Sequence, residues 1–89
     1  MTIVTKRNGK SEVFNENKVT KSIIKSCVSS GLSIQNSKKI SEDSLQLLLV
    51  WLSPKTEVTT NDIRHRVSLI LLKQSHDAGY IYKYHRIMD

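Results

Sequence analysis

The dipeptide Asn8-Gly9, set between two short β-prone runs, constrains the fold of this 89-residue chain more than any other feature. An Asn-Gly pair favours a type I′ turn, whose two central residues both need positive φ, and such a turn closes a β-hairpin. The expected two-residue loop pairs Arg7 with Lys10, Lys6 with Ser11, Thr5 with Glu12, Val4 with Val13 and Ile3 with Phe14. Strand side chains alternate between faces, so this register sets Val4, Lys6, Ser11 and Val13 on one side. Ile3, Thr5, Arg7, Lys10, Glu12 and Phe14 fall on the other. Each face is apolar at its open end and polar near the turn, which suits a hairpin that docks by its open end and covers a polar ligand with its turn. An isolated hairpin is marginal in water, so it has to lean on helices.

Four helices are expected. Asn15 is a good N-cap, and Phe14 before it pairs with Val19 as a hydrophobic staple that fixes how the hairpin enters the first helix. Val19, Ile23, Ile24, Cys27 and Val28 form its apolar stripe, and Gly31 closes it at C′. A second helix begins near Ser33 or Ser37 and runs to about Leu52, stopped by Ser53-Pro54. Ile40, Leu45, Leu47, Leu48, Trp51 and Leu52 cover a broad face, as expected for the most buried helix. Thr59 caps the third helix with Asp62 in a capping-box spacing, Val58 staples to Ile63, and Ile63, Val67, Ile70 and Leu71 face inward. After a break at Ser75 to Asp77, a last helix runs from Ala78 to about Met88, with Ile81, Tyr84 and Met88 on one stripe and Tyr80 and Ile87 beside it. The expected architecture is α+β, an N-terminal β-hairpin packed on a small bundle of about four helices, with residues 1–89 as one domain.

Charge narrows the function. The net charge is +6, and Lys6, Arg7, Lys10, Lys18, Lys21 and Lys25 face only Glu12 and Glu16 within the first 25 residues. Such an excess suits nucleic acid, a phosphorylated small ligand or an acidic partner. Lys18 occupies the first turn of its helix, where the macrodipole disfavours a cation. That misplacement suits an anion bound at the free N–H groups of the helix start, with Lys6 and Arg7 brought close by the hairpin. His65, His76 and His85 lack metal-site spacing, and neither a nucleophile elbow nor a Walker A loop is present. An enzyme made of this chain alone is not expected. The single cysteine, Cys27, sits on an apolar stripe as a structural thiol and allows neither a disulfide framework nor a cysteine-cluster zinc site. No apolar run approaches the ~20 residues of a membrane span, and no signal peptide is visible, so a cytoplasmic location is expected.

The segment Val4-Thr5-Lys6-Arg7-Asn8-Gly9, then Glu12, Phe14-Asn15 and Lys18-Val19, resembles the start of the ATP-cone domain. The Thr59-Thr60-Asn61-Asp62-Ile63 helix start and the aromatic last helix ending Tyr84-His85-Arg86 extend the resemblance, more loosely, over essentially the whole chain. ATP-cones are regulatory modules of many ribonucleotide reductases, of the repressor that controls reductase genes, and of other enzymes, including some archaeal nuclease-like proteins. The resemblance implies that this chain binds ATP or dATP, with Mg2+ as an optional companion. It further implies that Val4 contacts the base or ribose and that Lys6, Arg7 and Lys18 hold phosphates. Glu12 and Asn15 would read the adenine edge, Val19 would help floor the base, and Thr60 and Arg64 would approach the phosphates from the third helix. The partner implied is a larger enzyme or regulator domain, in cis or in trans, or a second copy in a homo-oligomer. Position 64 carries arginine where reductase cones often have histidine, and Met88-Asp89 stands where a further basic residue is expected. The repressor's zinc ribbon and a reductase catalytic region are absent from these residues, so the chain is a lone cone or the N-terminal part of a longer protein.

Two other functions fit less of the pattern. In the first, helices three and four act as a helix-turn-helix, with Arg64, Arg66, Lys73, Lys83 and Arg86 meeting nucleic-acid phosphates. In the second, an interaction domain keeps the cone fold without its ligand.

Overall fold

The computed structural model of the protein describes residues 2–84. In chain order the elements are β1 (Ile3–Thr5), β2 (Ser11–Val13), α1 (Glu16–Ser29), α2 (Ile34–Leu52), β3 (Glu57–Thr59), α3 (Thr60–Gln74) and α4 (His76–Tyr84). The α+β expectation holds, with one addition: the sheet has three strands, in the order β2-β1-β3. β3 pairs parallel to β1, with Ile3 opposite Glu57 and Thr5 opposite Thr59. Three residues give no periodicity from which to read such a strand in the sequence.

The hairpin register also differs from expectation. Ile3 faces Val13, Val4 faces Glu12 and Thr5 faces Ser11, one residue away from the two-residue-loop pairing. Only Gly9 takes positive φ, at 85°, while Asn8 does not, so no type I′ turn forms. Gly9 N–H donates to the Lys6 carbonyl at 2.9 Å, Lys6 N–H donates to Lys10 at 2.7 Å, and Arg7-Asn8-Gly9 make a three-residue loop. Asn8 Oδ1 accepts from Lys10 N–H at 3.0 Å and holds the tip together. A one-residue slip exchanges the faces of one strand relative to the other. Val4, Lys6, Glu12 and Phe14 therefore share a side, where the two-residue loop had separated the first pair from the second.

The helix ends follow the local signals. Asn15 caps α1, its side chain accepting from Asn17 and Lys18 N–H. At the other end Gly31, with φ 101°, lets its own N–H reach the Val28 carbonyl and Leu32 N–H the Cys27 carbonyl, the paired bonds of a Schellman motif. Ser33 caps α2. Thr59 and Asp62 close a reciprocal capping box on α3, at 3.0 Å in both directions. α4 starts at His76, two residues before the expected start, because Ser75 Oγ accepts from Ala78 N–H and the break shrinks to one residue.

Which faces turn inward differs more. The buried stripe of α2 is Ser37, Ser41, Ser44, Leu48 and Leu52, whereas Leu47 and Val50 are 55% and 73% exposed. α2 is thus not the broad apolar core helix expected. Its hydroxyls allow close helix contact: Ser41 Oγ donates to the Thr20 carbonyl of α1 at 3.3 Å, and Ser44 Oγ accepts from Gln74 of α3 at 2.8 Å. Val28 of α1 is exposed, and Ser22 and Ser26 take inward places beside Val19, Ile23 and Cys27. On α4 the inward face is Ala78, Gly79 and Tyr82; Tyr80 and Tyr84 are exposed and Ile81 is half-buried. The stripe through Ile81 and Tyr84 is therefore corrected, and the expectations for His85, Arg86, Ile87, Met88 and Asp89 lie outside the described residues. Tyr82 reaches Ser22 across the α1–α4 contact at 3.1 Å. Ser22 already donates to the Val19 carbonyl at 2.7 Å, so the tyrosine hydroxyl is the donor. Burial pushes its pKa up to about 12.

A Cβ placed on Gly79 would lie 2.6 Å from the backbone nitrogen of Leu72, which cannot rotate away. Gly79→Ala is expected to destabilise by about 1–3 kcal/mol, as overpacking does, against the ~1 kcal/mol that alanine offers a helix. Ser26 Oγ is fully buried with no hydrogen-bond partner among the described residues, so Ser26→Ala should stabilise by about 1 kcal/mol. Urea denaturation of the two variants checks the opposite signs.

Candidate functional site

A cavity of about 740 Å³ opens under the hairpin, between α1 and the start of α3. Its position follows from the local geometry already described. The register turns Val4, Lys6, Glu12 and Phe14 toward the helices, and the Asn15 cap sets the first turns of α1 beside them. The parallel β1–β3 pair brings Thr60 and Ile63 of α3 to the opposite wall.

The cavity has two chemically distinct parts. Val4, Val19 and Ile63, all buried, make an apolar floor with half-buried Phe14 beside it. Among the described residues, the wall carries five cations, Lys6 and Arg7 from the hairpin and Lys18, Lys21 and Lys25 from α1, against one carboxylate, Glu12. Asn15, Ser22 and Thr60 supply neutral polar groups. Of the residues singled out from sequence, Val4, Lys6, Arg7, Glu12, Asn15, Lys18, Val19 and Thr60 come together here. Arg64 is not on the lining; its Nη1 donates to Asn61 Oδ1 at 3.5 Å, one turn along α3 from Thr60. Sequence reasoning missed Phe14, Ser22, Ile63, Lys21 and Lys25 as lining residues. The two lysines had a readable signal, since positions 18, 21 and 25 stack on one face of a helix.

Glu12 organises the mouth. Its carboxylate oxygens lie 3.1 and 3.2 Å from Lys18 Nζ, and Oε2 lies 3.4 Å from Lys6 Nζ. The hydrogen bond from Lys18 is the largest influence and lowers the Glu12 carboxyl pKa; desolvation opposes it, and the contact with Lys6 adds to the lowering. A depressed pKa makes this pairing favourable above the ordinary carboxylate range, and it is lost as pH falls through the lowered value. All three side chains are solvated, so the pairing organises the site more than it stabilises the fold.

Asn15 has a divided role. Its Oδ1 accepts from Asn17 N–H at 3.0 Å and from Lys18 N–H at 3.4 Å, which leaves the amide NH2 as its free function. It can donate to a ring nitrogen of a ligand but has no carbonyl to spare for an amine. That acceptor role falls to Glu12. Cys27 is buried away from the cavity and its thiol pKa is raised by burial. Among the described residues, no group of three metal-ligating side chains occurs and no helix is long and apolar enough to cross a membrane.

Residues 2–88 match the family model described as ATP cone domain. No curated protein matches the chain.

Lys18 is the main cause of the Glu12 shift, so Lys18→Ala should raise the Glu12 carboxyl pKa more than Lys6→Ala does. Carboxyl-carbon NMR titration of the two variants beside the parent chain measures the order.

Proposed function

This chain belongs to the ATP-cone domain family, a family of regulatory nucleotide-binding modules, and on that premise we propose that its cavity binds ATP or dATP and reports their presence to a neighbouring protein unit. The observation that carries the proposal is one cavity with an apolar floor beside five cations, at the start of a helix. A nucleotide needs both halves: a surface for its base and a concentrated positive field for its phosphates.

The base would lie on Val4, Val19 and Ile63. Glu12 would accept from the exocyclic amine of adenine, and the Asn15 amide would donate to a ring nitrogen. Guanine presents a carbonyl where adenine has that amine, so a carboxylate there opposes it. Lys6, Arg7 and Lys18 would hold the phosphates, with Lys21 and Lys25 further along α1 and Thr60 opposite. A magnesium ion would travel with the phosphates, because among the described residues Glu12 is the one carboxylate on the lining. The unit that receives the signal would be a larger enzyme or regulator, as in ribonucleotide reductases, joined in cis or in trans, or a second copy of the chain. Binding would favour whichever arrangement of that unit contacts the closed hairpin, by the difference in affinity between the two arrangements. The cytoplasmic nucleotide pool is the setting such a sensor requires.

Nucleic-acid binding through α3 and α4 draws less support. Arg66 lies over the Trp51 ring at 5.1 Å, with Lys55 at 4.8 Å from the same ring. Lys83 lies 5.3 Å from the Tyr84 ring.

Isothermal titration with ATP, dATP and GTP tests the proposal. Heat is expected with both adenine nucleotides and at least roughly tenfold weaker binding of GTP, the cost of one ill-matched polar contact. Lys18→Ala should weaken ATP binding by about 10–100-fold, the loss of one charge-assisted contact, with a ligand-free melting temperature close to that of the parent. Absence of heat with all three nucleotides at millimolar concentration would remove the proposal.

A further inference from the structure

The cavity already contains an anion, and it is part of the chain. Glu12 makes three contacts of 3.1–3.4 Å with the ammonium groups of Lys6 and Lys18. A phosphate oxygen pair would make the same kind of charge-assisted contacts in the same place. Among the described residues, Arg7, Lys21 and Lys25 are the other charged residues on the wall; from α3, Thr60 and Ile63 line it, and neither is charged. Lys21 and Lys25 have no ion-pair partner among the described residues. The free protein thus divides its cations: one pair bridged by a carboxylate from within, and Lys21 and Lys25 along α1 left open.

We propose that Glu12 is an internal competitor for the phosphate site, holding Lys6 and Lys18 in the free protein and releasing them when a polyphosphate takes its place. The ligand class is a linear polyphosphate; the nucleotide proposal is needed only for the base that such a chain would carry. Solvent-exposed ion pairs exchange partners readily, so the swap meets no large barrier. A single phosphate merely replaces the carboxylate with another small anion. A triphosphate replaces it and also extends toward Lys21 and Lys25, the latter roughly 10 Å from Lys18 along the helix axis. Glu12 therefore sets a charge threshold for entry. Displacement also leaves more of its acceptor capacity for a hydrogen bond from an amine, a role for which the two lysines compete in the free protein. Loss of the two lysines returns the Glu12 carboxyl upward from its lowered pKa. Between the free and bound values, binding takes up a proton.

The test uses inorganic tripolyphosphate and inorganic phosphate as probes. Titration calorimetry on the parent chain and on Glu12→Gln is expected to show tripolyphosphate bound about tenfold more tightly by the variant, the effect of removing one close charge. The parent should prefer tripolyphosphate over phosphate by a wider margin than the variant. Carboxyl-carbon NMR of the parent should show the Glu12 pKa rising on saturation with tripolyphosphate, a readout that needs no substitution. Equal or weaker binding by Glu12→Gln overturns the proposal, as does a Glu12 pKa unmoved by ligand or the absence of binding to either protein. If tripolyphosphate behaves as expected while ATP binds no more tightly than it, the competitor stands and adenine recognition falls.

Discussion

Three residues of β1 hold the geometry on which everything else depends. Ile3, Val4 and Thr5 pair with β2 on one side and β3 on the other. β2 leads through Phe14 to the cap of α1, and β3 runs directly into the cap of α3. One short strand therefore fixes two helix starts, with Val4 between them on the cavity floor. Parallel pairing of β1 with β3 requires a long intervening connection, supplied here by α1 and α2. The sheet is too small to be stable alone; it persists because Val4 and Val58 are buried with Val19 and Ile63 in the common core.

Features fixed within four or five residues were legible in the sequence. The Asn15 and Thr59 caps and the Gly31 stop all stand where local chemistry puts them. So did most of the candidate site, because Lys6, Arg7, Glu12, Asn15 and Lys18 are adjacent in sequence as well as in space. What was not legible depended on alternatives of nearly equal local energy. Asn-Gly serves a type I′ turn, but it serves equally a three-residue loop with glycine alone at positive φ. The choice between them moved Glu12 to the face of Lys6. β3 exists because β1 offers an edge, which no property of Glu57, Val58 and Thr59 announces.

The inward faces were misread for a different reason. Hydropathy assigns serine to the surface, yet Ser22, Ser26, Ser37, Ser41, Ser44 and Ser68 are all buried. Small side chains let helices approach, and most of these hydroxyls are bonded to nearby backbone carbonyls or to a partner helix. Of the residues that periodicity placed inside α2, Leu47 is exposed, and the serine stripe takes inward places beside Leu48 and Leu52. On α4, glycine and alanine play the same part against α3, and Tyr82 fills the remaining space with its hydroxyl satisfied by Ser22.

The loop Arg7-Asn8-Gly9 matters to the site through the pairing it closes and not through its own residues. Strand faces repeat every two residues, so a shift of β2 by one residue against β1 would turn Glu12 away from Lys6 while leaving every residue of the site intact in the sequence. Changes at the exposed tip that keep Lys6 opposite Lys10 leave those faces where they are. Drift at the tip is thus tolerated as long as the ladder beneath it keeps its partners.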